Sequence, residues 1–381
     1  MTIFTSTPRR ALIRAGAASA MTSCFAMVVG LIMAPLSSQG VVVFGSGDAA
    51  HNTAVPTGSL ATAGWQWEGN WVGLAATAIG PHHIITAAHA GGAIGGYFTF
   101  RGTNYMATES HLAPSADLRL FKVAGTLPEF APLYTGSSET GRGLFFVGAG
   151  GSRGDAVTLT AGTGKKLKGW LWGVRDGRFR WGTNTVAAVV GSGTPSTRSP
   201  LPDDFLACTF DATAGGDEGT ITDGDSGGGA FIFDAGKWKL AAVLRAVESK
   251  FRTTATDGDF SAALFDKGGF YQFTGAAWEL VPTAVFDRPT VFYGVRISGN
   301  ATWLQQAMAG SVTPEATLAV ESSDKPDGPF TPDTTVTLDL ENARFVAPLT
   351  GATRYYHLVD NRGWFSSAAV SGDTLYLNLN Y

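Results

Sequence analysis

The chain has 381 residues, of which 44% are apolar and only 15% charged, and its formal net charge is −4. A high hydrophobic content with a small net charge excludes a disordered chain, and the lack of a basic stripe argues against nucleic acid as a partner. The 50 glycines favour a turn-rich β protein over a helical one.

Residues 1–40 have the composition of an export signal. The three arginines of "RRALIR" (9–14) precede an apolar run, "CFAMVVGLIMAPL" (24–36), and small residues follow in "SSQG". That order predicts a signal peptide, because the run is too short for an ordinary transmembrane helix. We favour a Sec signal, while a twin-arginine signal and initiation at Met21 stay open. The mature chain is therefore expected to be secreted, or held at the cell surface or in the periplasm.

The two cysteines do not predict a disulfide. Cys24 lies within the signal, so Cys208 would be alone after cleavage. Packing must then stabilise the exported protein, and a mature chain of this size can bury enough surface to do so.

Between residues 66 and 297, short apolar runs alternate with glycine-rich turns. Many short strands with frequent turns predict a sandwich or a barrel. The runs are WVGLAATAI (71–79), HIITAA (83–88), YFTF (97–100), LRLFKV (118–123), LFFVGA (144–149), AFIF (230–233), KLAAVLRAV (239–247) and VFYGVRI (291–297).

A predicted helix, a linker and a second group of strand-like runs follow this region. One helix is predicted at "SGNATWLQQAMAG" (298–310), with Ser298 or Asn300 as its N-cap. The stretch "SVTPE" (311–315) is typical of a linker. Six strand-like runs follow, so residues 316–381 are predicted to form a separate small β-sandwich.

The stretch "ITDGDSGGGAFIF" (221–233) places four glycines around Ser226. A serine hydroxyl is a weak nucleophile, and it needs a base within hydrogen-bond reach and a third group that orients the base. Negative charge on a reacting carbonyl oxygen also needs aimed donors, and glycines let backbone N–H groups turn inward. "GDSGG" (224–228) has this composition, with Gly224 and Ser226 as the candidate donors.

Two upstream motifs offer the other members of such a site. His89 follows an apolar strand and small residues in "IITAAHAGG" (84–92), which would hold its ring at the end of a buried element. Asp117 opens the alternating run in "SADLRLFKV" (115–123), so its side chain can point inward from the start of the strand.

"TAAH", "DLRLFKV" and "GDSGGG", in the order His, Asp, Ser, resemble the trypsin/chymotrypsin-like serine peptidases, in their exported bacterial form. The resemblance covers roughly residues 55–309 and implies an all-β fold of two six-stranded barrels with a C-terminal helix. It also implies that His89 is the general base, Asp117 the orienting carboxylate and Ser226 the nucleophile. The oxyanion-hole amides are those of Gly224 and Ser226.

The expected function is therefore an exported serine endopeptidase, acting through an acyl-enzyme, with no cofactor and no metal. Because the base must be neutral, kcat/KM should rise with pH through a pKa of about 6–7. One alternative is a non-catalytic binding or adhesion protein on the same barrel. Another is an esterase-type hydrolase of the G-x-S-x-G class, which needs a strand before the serine and a histidine after it, where only His357 qualifies.

One position departs from a simple match. Many members of the family bury a newly freed Ile/Val-led N-terminus against the aspartate before the serine, which is Asp225 here. Cleavage after Gly40 would offer Val41, and a buried arginine is the other candidate partner.

The resemblance also suggests a primary pocket. The residue six before the serine is Thr220, at the base of the pocket in the family, and Arg245 is expected to line its wall. A cationic substrate side chain would be buried there without a partner, so small to medium apolar residues are expected. Asp217, Glu218 or Asp223 could enter the pocket and change this preference.

We expect a monomer that acts on a protein or peptide substrate. The domain at 316–381 should fold alone, take no part in the chemistry and attach the enzyme to a cell surface, a polymer or a partner. Its aromatic residues Tyr355, Tyr356 and Trp364 are expected to belong to its core more than to a ligand platform.

Overall fold

The computed structural model describes residues 40–161, 164–194, 201–339, 344–346, 354–360, 365–371 and 374–378. The predicted signal peptide, apart from Gly40, lies outside the described residues, and so does Trp364. The chain divides into two compact units. Among the described residues, the larger comprises those within 40–318 and 338–345, and the smaller comprises those within 319–337 and 346–378.

The first part of the larger unit holds seven strands: β1 (Val42–Val43), β2 (Glu68–Trp71), β3 (Leu74–Gly80), β4 (His83–Ala87), β5 (Tyr97–Phe100), β6 (Thr103–Leu112) and β7 (Leu118–Val123). Strands β2 to β7 run in the order β6-β5-β2-β3-β4-β7, and β6 also pairs with β7, which closes a six-stranded barrel. All six strands contribute to one buried cluster, which includes Trp71, Phe98 and Phe121. Burial of this apolar surface stabilises the barrel.

Thirteen more strands follow: β8 (Gly143–Gly148), β9 (Gly151–Ala161), β10 (Gly164–Arg175), β11 (Arg180–Val190), β12 (Phe205–Thr209), β13 (Gly219–Thr220), β14 (Gly229–Asp234), β15 (Lys237–Val247), β16 (Lys250–Arg252), β17 (Phe260–Leu264), β18 (Tyr271–Phe273), β19 (Trp278–Leu280) and β20 (Val291–Arg296). Six of them form a second closed barrel, in the order β11-β12-β20-β15-β14-β8. Another buried cluster combines residues of both barrels, among them Leu118, Leu120 and Phe231, so the two barrels pack on each other.

A further sheet lies outside the barrels, in the order β19-β18-β16-β17-β10-β9. Its strands β9 and β10 form a long hairpin that is rich in glycine, and β10 also carries several lysines and tryptophans.

A 3₁₀ turn (Ser298–Asn300) leads into α1 (Ala301–Met308), which buries Leu304 and Ala307. The predicted architecture of two six-stranded barrels and a C-terminal helix is confirmed. The predicted side-chain cap is not seen: the Asn300 NH₂ group donates to the Arg296 carbonyl oxygen, and Ser298 Oγ donates to Glu139 Oε1.

The last strands are β21 (Ala316–Ser323), β22 (Thr331–Pro332), β23 (Thr337–Asp339), β24 (Arg344–Val346), β25 (Arg354–Asp360), β26 (Phe365–Ser371) and β27 (Thr374–Asn378). Strands β25, β26 and β27 pair antiparallel in sequence order. Tyr356 is 2% exposed, as a core residue would be. The independence of residues 316–381 stays a prediction.

We find no helix among the described residues with the length and apolar character to cross a membrane. Cys208 is a free, buried thiol.

One buried carboxyl group in the larger unit is expected to titrate far from its ordinary range. Glu218 is 3% exposed, and its Oε1 accepts hydrogen bonds from the Asn184 side chain at 2.8 Å and the Asp211 backbone N–H at 3.2 Å. Burial raises the pKa of Glu218 to about 8. The folded protein therefore holds a proton that the unfolded chain loses at about pH 4.3.

Glu218→Gln should consequently stabilise the protein at alkaline pH. As pH rises from about 4 to about 8, the parent loses free energy of unfolding, because the unfolded chain releases its proton first. Each pKa unit of difference costs about 1.4 kcal/mol. The amide keeps the acceptor oxygen without titrating, so urea unfolding should show a gain of a few kcal/mol at about pH 9 and little change at about pH 4. The exposed Glu279→Gln is the control, and an equal gain at both pH values would contradict the assignment.

Candidate active site

The strand pairing of the first barrel brings His89 and Asp117 together. His89 lies in a 3₁₀ turn directly after β4, and Asp117 lies directly before β7. These two strands pair antiparallel with Ala87 opposite Leu118, so the end of one meets the start of the other. Ser226 comes from the second barrel, in the loop between β13 and β14. The site therefore lies where the two barrels meet.

The three side chains form a continuous hydrogen-bonded line. Asp117 Oδ2 lies 2.6 Å from His89 Nδ1, and His89 Nε2 lies 2.8 Å from Ser226 Oγ. A second bond fixes the carboxylate, since the His89 backbone N–H donates to Asp117 Oδ1 at 2.9 Å. An ionised carboxylate only accepts hydrogen bonds, so Nδ1 must carry the proton and Nε2 is free to accept one from Ser226.

Two further groups hold Asp117 in place. Its backbone N–H donates to Asp203 Oδ2 at 3.1 Å, and Arg245 Nε donates to its Oδ2 at 2.9 Å. Burial opposes ionisation of this carboxyl group, but the hydrogen bonds from His89 and the charge of Arg245 outweigh it and hold the pKa of Asp117 below its usual value. Asp117 is therefore an anion throughout the physiological pH range.

The glycines beside Ser226 meet requirements of the loop. Gly224 and Gly227 both have φ +92°, a conformation that favours glycine. A Cβ on Gly224 would lie 2.4 Å from the Arg175 guanidinium, and one on Gly227 would lie 2.2 Å from Thr86 Oγ1. Within the described part of the chain, neither the Gly224 nor the Ser226 backbone N–H has an acceptor. Both amides are thus free to donate to a ligand.

Asp225 is fully buried and is held by backbone donors. Its carboxylate accepts from the N–H groups of Gly150 and Thr222, both at 2.6 Å, and from that of Val41 at 3.4 Å. Burial raises the pKa of Asp225 to about 6, although the hydrogen bonds oppose the shift. Of the two partners considered from the sequence, the structure places Val41 at this carboxylate. The buried Arg180 pairs with Asp176 instead, at 2.7 Å.

A cavity of about 390 Å³ opens beside Ser226. Apolar parts of its wall come from Ile221, Ala246 and Val247, and polar parts from Asp223, Arg245 and Lys250.

The predicted pocket residues lie in different places. Arg245 lines the cavity and also binds Asp117. Thr220 is fully buried in β13, opposite Val42, and does not line this cavity, so its role at the base of a pocket stays a prediction. Of the three carboxylates that the sequence left open, Asp223 lines the cavity, Glu218 bonds Asn184, and Asp217 bonds the Asn52 and His51 side chains.

Sequence reasoning missed the contacts of Arg245 and Asp203 with Asp117. Neither residue stands in a motif, and both are far from Asp117 along the chain.

Among the described residues, no cluster of histidine, cysteine, aspartate and glutamate is arranged to hold a metal ion.

The α/β-hydrolase alternative does not fit this site. Its serine would lie between a strand and a helix, whereas Ser226 is followed by β14 in an antiparallel barrel. The histidine beside the serine is His89, not His357.

Comparison with known proteins finds similarity in fold. No family model matches the chain, and neither does any curated protein sequence. Among solved structures, the active form of the Rv3671c protease from M. tuberculosis is 16% identical with a TM-score of 0.35, and the match covers 63% of this chain and 74% of that one. The scabies mite inactivated protease paralogue S-D1 is 15% identical with a TM-score of 0.35, covering 63% and 89%. Likeness at this level concerns the fold alone.

Proposed function

We propose that this protein is a serine endopeptidase of the trypsin-like type that hydrolyses peptide bonds through an acyl-enzyme on Ser226. The observation that carries the proposal is the unbroken line from Asp117 Oδ2 through His89 to Ser226 Oγ, at 2.6 and 2.8 Å. A binding-only protein has no need of a base held in the correct tautomer against a serine hydroxyl.

Acylation follows from this geometry. His89 Nε2 takes the Ser226 proton while Oγ attacks the substrate carbonyl carbon, and the carbonyl oxygen becomes an oxyanion. The free N–H groups of Gly224 and Ser226 stabilise that charge. The imidazolium is stabilised by Asp117, and it then donates its proton to the leaving amine as the C–N bond breaks.

Deacylation repeats these steps with water. His89 takes a proton from the water, whose oxygen attacks the ester carbon, and returns it to Ser226 Oγ as the acid product leaves. Every proton is accounted for by the base and the nucleophile, so this pathway uses no cofactor.

Labelling with a fluorophosphonate tests the proposal. The folded protein should be labelled on Ser226, as located by mass spectrometry, and should cleave casein. A folded protein that is neither labelled nor active would support the non-catalytic binding alternative. Labelling together with ester hydrolysis, but without peptide cleavage, would support an esterase.

We also propose a preference for small to medium apolar residues before the scissile bond, supported by the apolar wall formed by Ile221, Ala246 and Val247. Asp223 lines the same cavity, but so do the cations Arg245 and Lys250, so the cavity carries no excess negative charge that would select a cationic side chain. A peptide-library profile dominated by arginine and lysine would contradict it. Export of the enzyme, its action as a monomer, and surface, polymer or partner attachment through residues 316–381 remain parts of the proposal. We further propose that residues 316–381 fold alone and take no part in the chemistry. Truncation at residue 312 tests this, since a shortened enzyme that is soluble but inactive on a small chromogenic peptide would contradict it.

A further inference from the structure

Arg245 shares one oxygen atom with the catalytic base. Its Nε donates to Asp117 Oδ2 at 2.9 Å, and the same oxygen lies 2.6 Å from His89 Nδ1. The side chain of Arg245 is 15% exposed and that of Asp117 is 8% exposed, so solvent screens this ion pair only weakly. A permanent cation and the imidazole ring therefore lie side by side on one carboxylate.

The position of Arg245 is fixed from several directions. It lies in β15, next to the loop that carries the nucleophile, and its carbonyl oxygen is 3.4 Å from Ser226 Oγ. Its guanidinium carbon lies 5.5 Å from the centre of the Phe205 ring. The Arg245 guanidinium is thus held beside the Asp117 carboxylate.

We propose that Arg245 is a positioning residue that extends the working range of the triad to lower pH. The proposal rests on the proposed function. Protonated His89 would place a second cation beside the Arg245 guanidinium, and like charges at this range disfavour the charged ring. The neutral ring, which is the form that acts as base, meets no such repulsion. In the free enzyme the base should therefore stay competent at a pH where an unassisted Asp–His pair would already be protonated.

Other charged groups around the triad act in both directions. Asp203 is buried against the backbone of Asp117, and as an anion it would favour the protonated ring, opposite to Arg245. The exposed Asp223 and Lys250, of opposite charge, line the same cavity as His89, and the Arg175 guanidinium lies against Gly224 in the loop that carries Ser226. The carboxyl group of Asp225, next to the nucleophile, has a pKa raised to about 6 by burial. An activity profile could report Asp225, so the state of His89 must also be followed directly.

Arg245→Gln tests the proposal through the pH dependence of fluorophosphonate labelling. The second-order rate constant should rise with pH in the parent, and its midpoint should lie about one pH unit higher in the variant. Arg245→Lys keeps the charge and should stay near the parent. The control is Lys239→Gln, which removes a cation whose Nζ lies 2.6 Å from Asp234 Oδ2 in the β14–β15 hairpin. This variant should leave the midpoint unchanged. An unchanged midpoint in Arg245→Gln would overturn the proposal.

A direct measurement separates this inference from the proposed function. In a Ser226→Ala background, the NMR titration of the His89 ring should show the same upward shift when Arg245 is replaced. If the glutamine variant does not fold, Arg245→Met keeps an unbranched apolar side chain and removes the charge together with the hydrogen bond to Asp117. A parent that is never labelled would contradict the peptidase proposal, while an unshifted His89 titration would contradict only the role of Arg245.

Discussion

Ser226→Ala should abolish peptide hydrolysis while leaving the fold intact. The substitution removes the hydroxyl that lies 2.8 Å from His89 Nε2, so no acyl-enzyme can form. We expect kcat to fall by several orders of magnitude, because the residual rate of such variants is only ~10³–10⁴-fold above that of the uncatalysed reaction. The backbone N–H groups of Gly224 and of the substituted residue would still bind the carbonyl oxygen, so KM should change little. Initial rates on casein and on a chromogenic peptide measure both quantities.

The matched control is Ser137→Ala, which alters an exposed serine in the loop before β8. Its activity and its urea-unfolding midpoint should equal those of the parent. The Ser226→Ala protein should unfold at nearly the same midpoint, because the missing hydroxyl makes only two weakly stabilising bonds. One is to the half-exposed His89 ring, and the other is to the Arg245 carbonyl oxygen at 3.4 Å. Casein cleavage at the parent rate by Ser226→Ala would remove Ser226 from the mechanism.

The members of the candidate triad were predictable from sequence because each lies in a short segment with its own local signal. A histidine directly after an apolar strand, and an aspartate directly before an alternating one, are placed by strand pairing alone once Ala87 faces Leu118. The glycines around Ser226 report a backbone that turns at positive φ, which few other residues adopt. The apolar runs predicted a sandwich or a barrel, and the family resemblance of the three motifs implied the double six-stranded barrel.

Tertiary proximity explains what the sequence did not predict. Arg245 and Asp203 reach Asp117 only because β15 and the segment before β12 meet the first barrel at the site, and no local pattern records that. The predicted side-chain cap of the helix is absent for a related reason, since Ser298 Oγ bonds Glu139, which is distant in sequence, and the Asn300 side chain turns back to the Arg296 carbonyl. The family resemblance placed Thr220 at the base of a pocket, and this role stays a prediction, with Thr220 buried in β13 opposite Val42.

Asp117→Asn should lower kcat by about 10³–10⁴-fold, close to the loss that a wrong histidine tautomer causes in other triads. The amide has no orientation that satisfies every neighbour. With its NH₂ group in place of Oδ2, it meets the Nε–H of Arg245 and forces His89 Nδ1 to become an acceptor, so Nε2 carries the proton and cannot take one from Ser226. With its NH₂ group in place of Oδ1, it opposes the His89 backbone N–H.

In either orientation Asp117→Asn also removes the anion that stabilises the imidazolium. One buried donor is left unpaired, which should cost about 1–3 kcal/mol in the free energy of unfolding. A protein that is folded, slightly less stable and almost inactive on a chromogenic peptide is therefore expected, with the exposed Asp259→Asn as the control of equal chemistry. Near-parental kcat in Asp117→Asn would contradict the role of this carboxylate, since one orientation of the amide changes the His89 tautomer and both orientations remove the negative charge.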